Sequence, residues 1–159
     1  ARMAPASSLD ILLPDLAATE ALAARLARLA RPGDAILLDG PLGAGKSALA
    51  RAFLRAAACD PGLEVPSPTF TLVQGYELPD AASFRMAHHF DLYRLGGADE
   101  VAELGWEEAR DGVVLVEWPD RLEDLAPEDA LRIRLTPLEG EARRATLRGW
   151  PGRIERLSP

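Results

Sequence analysis

Gly40-Pro41-Leu42-Gly43-Ala44-Gly45-Lys46-Ser47 decides how the rest of the chain is read. A glycine, four free positions and a second glycine stand before Lys and Ser, the pattern of a loop that wraps a polyphosphate. Its glycines allow a tight backbone path in which successive N–H groups point at phosphate oxygens. Lys46 is expected to reach the β- and γ-phosphates, and the Ser47 hydroxyl to hold Mg²⁺. The flanks supply the context that such a loop requires. Ala35-Ile36-Leu37-Leu38 is a short apolar run, as in a buried strand. From Ser47 to Ala58 the chain is rich in Ala, Leu and Arg without Gly or Pro, which predicts a helix whose N-terminus faces the phosphate. The expected nucleotide contacts are therefore Gly43, Ala44, Gly45, Lys46, Ser47 and Ala48. Lys46 is also the only lysine, every other cationic side chain being arginine. A slim ammonium on a flexible stem stands at the one place that calls for it.

A chain of 159 residues suits one domain. The expectation is a single P-loop NTPase domain over 1–159, with 1–7 and 152–159 as terminal tails. The formal net charge of −7 argues against broad binding of a nucleic-acid backbone, which depends on clustered cations. One cysteine, Cys59, excludes an internal disulfide, points to a reducing cytoplasm and reads as core filler. No apolar stretch approaches the ~18 residues of a membrane span, and no charged-then-apolar leader precedes the domain, so no membrane partner is expected.

Outward from the loop, the chain alternates strands and helices. Leu9–Leu13 reads as a strand stopped by Pro14, and Asp15 as the cap of a helix with Leu22, Leu26 and Leu29 on one face. Arg25, Arg28 and Arg31 cluster elsewhere on that helix. Val65-Pro66-Ser67-Pro68-Thr69 is stiffened by its prolines. Thr69 is either a switch hydroxyl for Mg²⁺ or the γ-phosphate, or part of a rigid connector. Thr71–Tyr76 and Arg85–Tyr93 read as a hairpin. His88 and His89 face opposite ways on a strand and make poor joint metal ligands. Asp91, at the strand end, is placed to face the metal of the loop. Asp99 reads as the cap of a helix over 100–104, and Gly105 as its break. Val113-Val114-Leu115-Val116 followed by Glu117 has the shape of a Walker B segment, and a buried Glu117 needs a cation, an arginine or a catalytic water. Residues 121–129 read as acidic and solvated. Leu131–Leu135 alternates strictly, and Arg143–Trp150 is set to pair back antiparallel. The fold class is α/β, a central mixed and mostly parallel sheet flanked by helices, with an antiparallel hairpin portion.

A P-loop with two downstream carboxylates makes a phosphoryl-transfer or hydrolysis site. Guanine-specific loops commonly use Asn-Lys-x-Asp. This chain has no asparagine and no second lysine, which favours ATP. A small-molecule kinase, a partner-switching ATPase and a nucleotide-binding subunit remain open on chemistry alone, although no lid stands out between Gly96 and Asp129.

Four blocks, taken in order and spacing, carry a family resemblance. They are Gly40–Ser47, Ser67-Pro68-Thr69-Phe70-Thr71-Leu72-Val73, His89-Phe90-Asp91-Leu92-Tyr93-Arg94-Leu95 and Val116-Glu117-Trp118-Pro119. Together they closely resemble the bacterial TsaE family over about Leu13 to Leu147. The resemblance implies a Mg²⁺-dependent ATPase needed for threonylcarbamoyladenosine in tRNA. It also implies work with the TsaB–TsaD complex, and contact with tRNA only through that complex. By the same resemblance Lys46 and its loop bind phosphate, Ser47 and Glu117 are metal ligands, and Asp91 is a metal or catalytic carboxylate. Thr69 is a switch residue, Trp118 sits beside the site, and Thr19 and Arg143 contact the nucleotide. The family often has Thr where this chain has Ser47, an exchange that keeps the hydroxyl. A stand-alone small-molecule P-loop kinase is the alternative.

Overall fold

The computed structural model describes residues 7–159; the tail expected at 1–7 lies, but for Ser7, outside the described residues. The elements run β1 Ser8–Leu13, α1 Leu16–Leu29, β2 Ala35–Asp39, α2 Lys46–Ala58, β3 Val73–Glu77, β4 Met86–Asp91, α3 Ala98–Ala102, α4 Trp106–Ala109, β5 Val113–Glu117, β6 Leu131–Pro137 and β7 Arg143–Arg148. Short 3₁₀ segments cover Pro119–Leu125 and Ile154–Leu157. The strands form one seven-stranded sheet in the order β1-β7-β6-β2-β5-β4-β3. Its centre, β6-β2-β5-β4, is parallel. Antiparallel pairs complete both edges, the β3–β4 hairpin on one side and β6-β7-β1 on the other. This is the mixed α/β architecture that the alternation of apolar strands and helices predicts.

Period-two alternation assigns each strand residue to a face. Ile36 and Leu38 of β2, with Val113 and Leu115 of β5, pack with α1 and α2 in the larger core. Ala35, Leu37, Val114 and Val116 point the other way, onto Trp106 of α4, Val101 of α3 and Leu122 of the 3₁₀ segment. α3, α4 and the 3₁₀ segment at Pro119–Leu125 thus pack on the face of the sheet away from α2.

Local chemistry explains most element ends. Asp15 caps α1, its carboxylate accepting from the Ala18 N–H at 2.9 Å. Asp99 does not cap α3. The helix starts two residues early, after Gly97, and Glu123 accepts from the Ala98 N–H at 2.9 Å instead. Cys59 is exposed, not core, because α2 ends at Ala58 and the chain leaves in the left-handed region at φ +53°.

Residues 152–159 are not a tail. Ile154 and Leu157 are buried, and three-residue spacing in a 3₁₀ turn sets both on one side. Arg153 pairs with Asp34 at 2.7 Å, and Arg25 Nε donates to the Leu157 carbonyl at 2.9 Å.

Candidate active site

The loop leaves β2 at Gly40 with φ +146°. A Cβ there would stand 2.5 Å from the Leu135 carbonyl oxygen on β6, so the close approach of two backbones demands glycine. Gly45, at φ +101°, is the N-cap of α2 and aims the first turn of the helix, Lys46 to Ala48, at the loop interior. Lys46 is buried, and its ammonium donates to the Gly40 carbonyl. It also lies over the Trp118 ring, 3.4 Å from the centroid. Burial lowers the Lys46 pKa, while Glu117, Asp39, Asp91 and Asp120 nearby pull it back up. The result is a cation short of solvation and surrounded by carboxylates.

Parity and register bring the acids to that cation. Asp91 and Glu117 are paired positions at the ends of parallel β4 and β5. Both continue the odd-numbered face that Ala87, Val113 and Leu115 direct toward α2. Glu117 accepts from the Ser47 hydroxyl at 3.0 and 3.2 Å, and Asp91 from the Thr69 hydroxyl at 3.4 Å. Thr69 shares a further 2.7 Å hydrogen bond with Ser67, so the proline-stiffened segment delivers its hydroxyls to this place. Lys46, Ser47, Thr69, Asp91, Glu117 and Trp118 together line one open cavity of about 400 Å³.

Thr19 and Arg143 meet on the other flank of the loop. With Ala44, Gly45 and Ala48 they line a smaller cleft of about 140 Å³. Arg143 Nε donates to the Ala44 carbonyl at 3.0 Å and Nη2 to the Gly43 carbonyl at 3.3 Å. It braces the loop from β7 as well as facing the cleft.

The sequence profile of "Threonylcarbamoyl adenosine biosynthesis protein TsaE" matches residues 13–145. This chain belongs to the TsaE family. Its relatives include proteins called tRNA threonylcarbamoyladenosine biosynthesis protein TsaE in several bacteria. That of Rickettsia conorii is 37% identical over 126 residues, 79% of this chain and 69% of the relative. That of Bacillus subtilis is 34% identical over 144 residues, covering 87% and 84%. The crystal structure of YdiB from Bacillus subtilis superposes with a TM-score of 0.71 at 27% identity, covering 98% of this chain and 94% of that one.

Within this TsaE fold the oxygen donors suit Mg²⁺. They are a hydroxyl, Ser47, and two buried carboxylates, Asp91 and Glu117, opening on one cavity. Mg²⁺ is held by one or two carboxylates together with substrate phosphates, not by an all-protein cage. No group of three His, Cys, Asp or Glu side chains able to hold a metal by themselves occurs among the described residues.

One site residue escapes the sequence reading. His89 is buried, and its Nε2 lies 2.7 Å from Glu117 Oε2. Its hydrogen-bond partner is the candidate metal-binding carboxylate. The signal was its two-residue spacing from Asp91, which places both on one face of the strand.

Proposed function

We propose that this chain binds ATP with Mg²⁺ in the cavity beside Gly40–Ser47 and hydrolyses it to support threonylcarbamoyladenosine modification of tRNA. The observation that carries the reading is the convergence of Lys46, Ser47, Thr69, Asp91 and Glu117 on one cavity at the mouth of the P-loop. In this reading the backbone N–H groups of Gly43 to Ser47 cradle the phosphates. Lys46 exchanges the Gly40 carbonyl and the Trp118 face for β/γ-oxygens, and so offsets negative charge as the γ-phosphoryl departs. Ser47 and Glu117 would hold the metal, which supplies charge neutralisation of the phosphates when bound. Asp91, positioned by Thr69, orients the attacking water. Thr19 and Arg143 flank the nucleotide on the α1 side.

The partner in this reading is the TsaB–TsaD complex in the cytoplasm, with tRNA reached through it. Support comes from family membership. Among the described residues no helix is long and apolar enough to cross a membrane. Of residues 96–129 only Glu117 and Trp118 line the cavity, so that span brings no arginine to it for the kinase alternative. Two measurements test the proposal together. Lys46→Ala should lose ATP affinity by calorimetry. The unaltered chain should co-elute with TsaB–TsaD in ATP and turn it over faster in their presence. Unchanged affinity in the variant removes the P-loop assignment, whereas failure to associate under any nucleotide condition removes the partner.

A further inference from the structure

The end of α1 remote from the P-loop carries an open groove lined by Arg25, Arg28, Leu29, Ala30, Arg31, Ser83 and Arg156. Four of these seven residues are arginines and none is acidic. Among the described residues no ion pair engages any of the four. Helix-end electrostatics do not require them. Arg153, a fifth arginine, already donates to the Leu29 carbonyl at 2.8 Å and neutralises Asp34. Arg25 is held by the Leu157 carbonyl, while Arg28, Arg31 and Arg156 are exposed. Like charges gathered in one groove repel one another, a cost removed by an anion that bridges them. The formal charge of −7 hides this grouping, because the surplus of acids lies elsewhere.

We infer that this groove is an RNA-binding surface that takes phosphodiester groups. Guanidinium forks match phosphate oxygens two at a time, and a Ser hydroxyl such as that of Ser83 adds a further donor. RNA is preferred over an acidic protein segment because the family acts in making a tRNA modification; the inference rests on that part of the functional reading, but not on ATP binding. The groove would then add a direct contact to the route through TsaB–TsaD. At 14 residues, α1 spans about 21 Å, so RNA here and nucleotide at the P-loop do not compete.

The test titrates the full chain with bulk tRNA by fluorescence anisotropy at several salt concentrations, without nucleotide. Binding should weaken with salt, with a log–log slope of about −2 to −3 for three or four phosphates. Arg28→Glu/Arg31→Glu/Arg156→Glu should lower affinity at least tenfold and flatten that slope. Arg28→Gln/Arg156→Gln should give a smaller loss at an unchanged melting temperature, and saturating ATP should leave tRNA affinity unaltered. No tRNA binding by the unaltered chain, equal binding by the charge-reversed one, or preference for polyglutamate over tRNA overturns the inference. Loss of ATP binding in Lys46→Ala with tRNA binding retained supports it, since that variant isolates the P-loop from the groove.

Discussion

Nε2 of His89 lies 2.7 Å from Oε2 of Glu117, and both side chains are buried. A carboxylate shut away from water needs such a partner, and this one leaves the other Glu117 oxygen turned to Ser47. His89→Leu should therefore lower ATP turnover by roughly ten- to a hundredfold, the usual cost of losing a group that orients a metal ligand. ATP affinity in the absence of Mg²⁺ should change little. Calorimetry with and without Mg²⁺, beside steady-state turnover, separates this from global damage. Equal losses with and without the metal would assign His89 to packing alone.

Trp118 is the half-buried member of the three tryptophans, Trp106 and Trp150 being buried. Its ring lies under the Lys46 ammonium, and an anion that draws Lys46 away alters the ring's surroundings. ATP addition should change the intrinsic fluorescence, and Trp118→Phe should abolish the change while keeping a face for the cation. A full signal in Trp118→Phe would place its source elsewhere.

Gly40→Ala should destabilise the fold as well as the site. The new methyl meets the Leu135 carbonyl at 2.5 Å, backbone against backbone, and the φ of +146° is itself strained for alanine. A cost of about 2–4 kcal/mol follows from strain plus displacement of β6. Urea unfolding measures it, and a shift under about 0.5 kcal/mol would show that the loop relaxes freely.

Tyr76 predicts an alkaline effect. Its buried hydroxyl has no hydrogen-bond partner among the described residues, and burial raises its pKa above 10.0. Ionisation therefore favours the unfolded chain. The neutral phenol's contribution is intact below about pH 10 and declines as pH rises toward the folded-state pKa. Tyr76→Phe should be neutral or stabilising by about 1 kcal/mol at pH 7. It should also retain more of its stability at pH 10.5 than the unaltered chain. Parallel urea midpoints at the two pH values would sink the idea if the two proteins lose stability alike.

What could be read in advance was what neighbours in sequence decide. Gly40–Ser47 is contiguous, so the glycine loop between β2 and α2 shows without a fold. Glu117 shows because four apolar residues precede it. The clasp of His89 on Glu117 spans 28 residues and two strands, and only pairing β4 with β5 reveals it. Asp99 fails as a cap because Glu123, 25 residues from Ala98, supplies the carboxylate. Ile154 and Leu157 looked like the end of the chain, since no local pattern announces that α1 and β1 will cover a single 3₁₀ turn.

Arg143 has a consequence for the order in which the molecule comes into being. The P-loop is made early, yet the guanidinium that holds the Ala44 and Gly43 carbonyls arrives 99 and 100 residues later. A chain emerging from the ribosome therefore carries an unbraced loop until those further residues have been added. The loop gains its brace only when β7 zips onto β6, so, if the proposed function holds, ATP capture would report on completion of the fold.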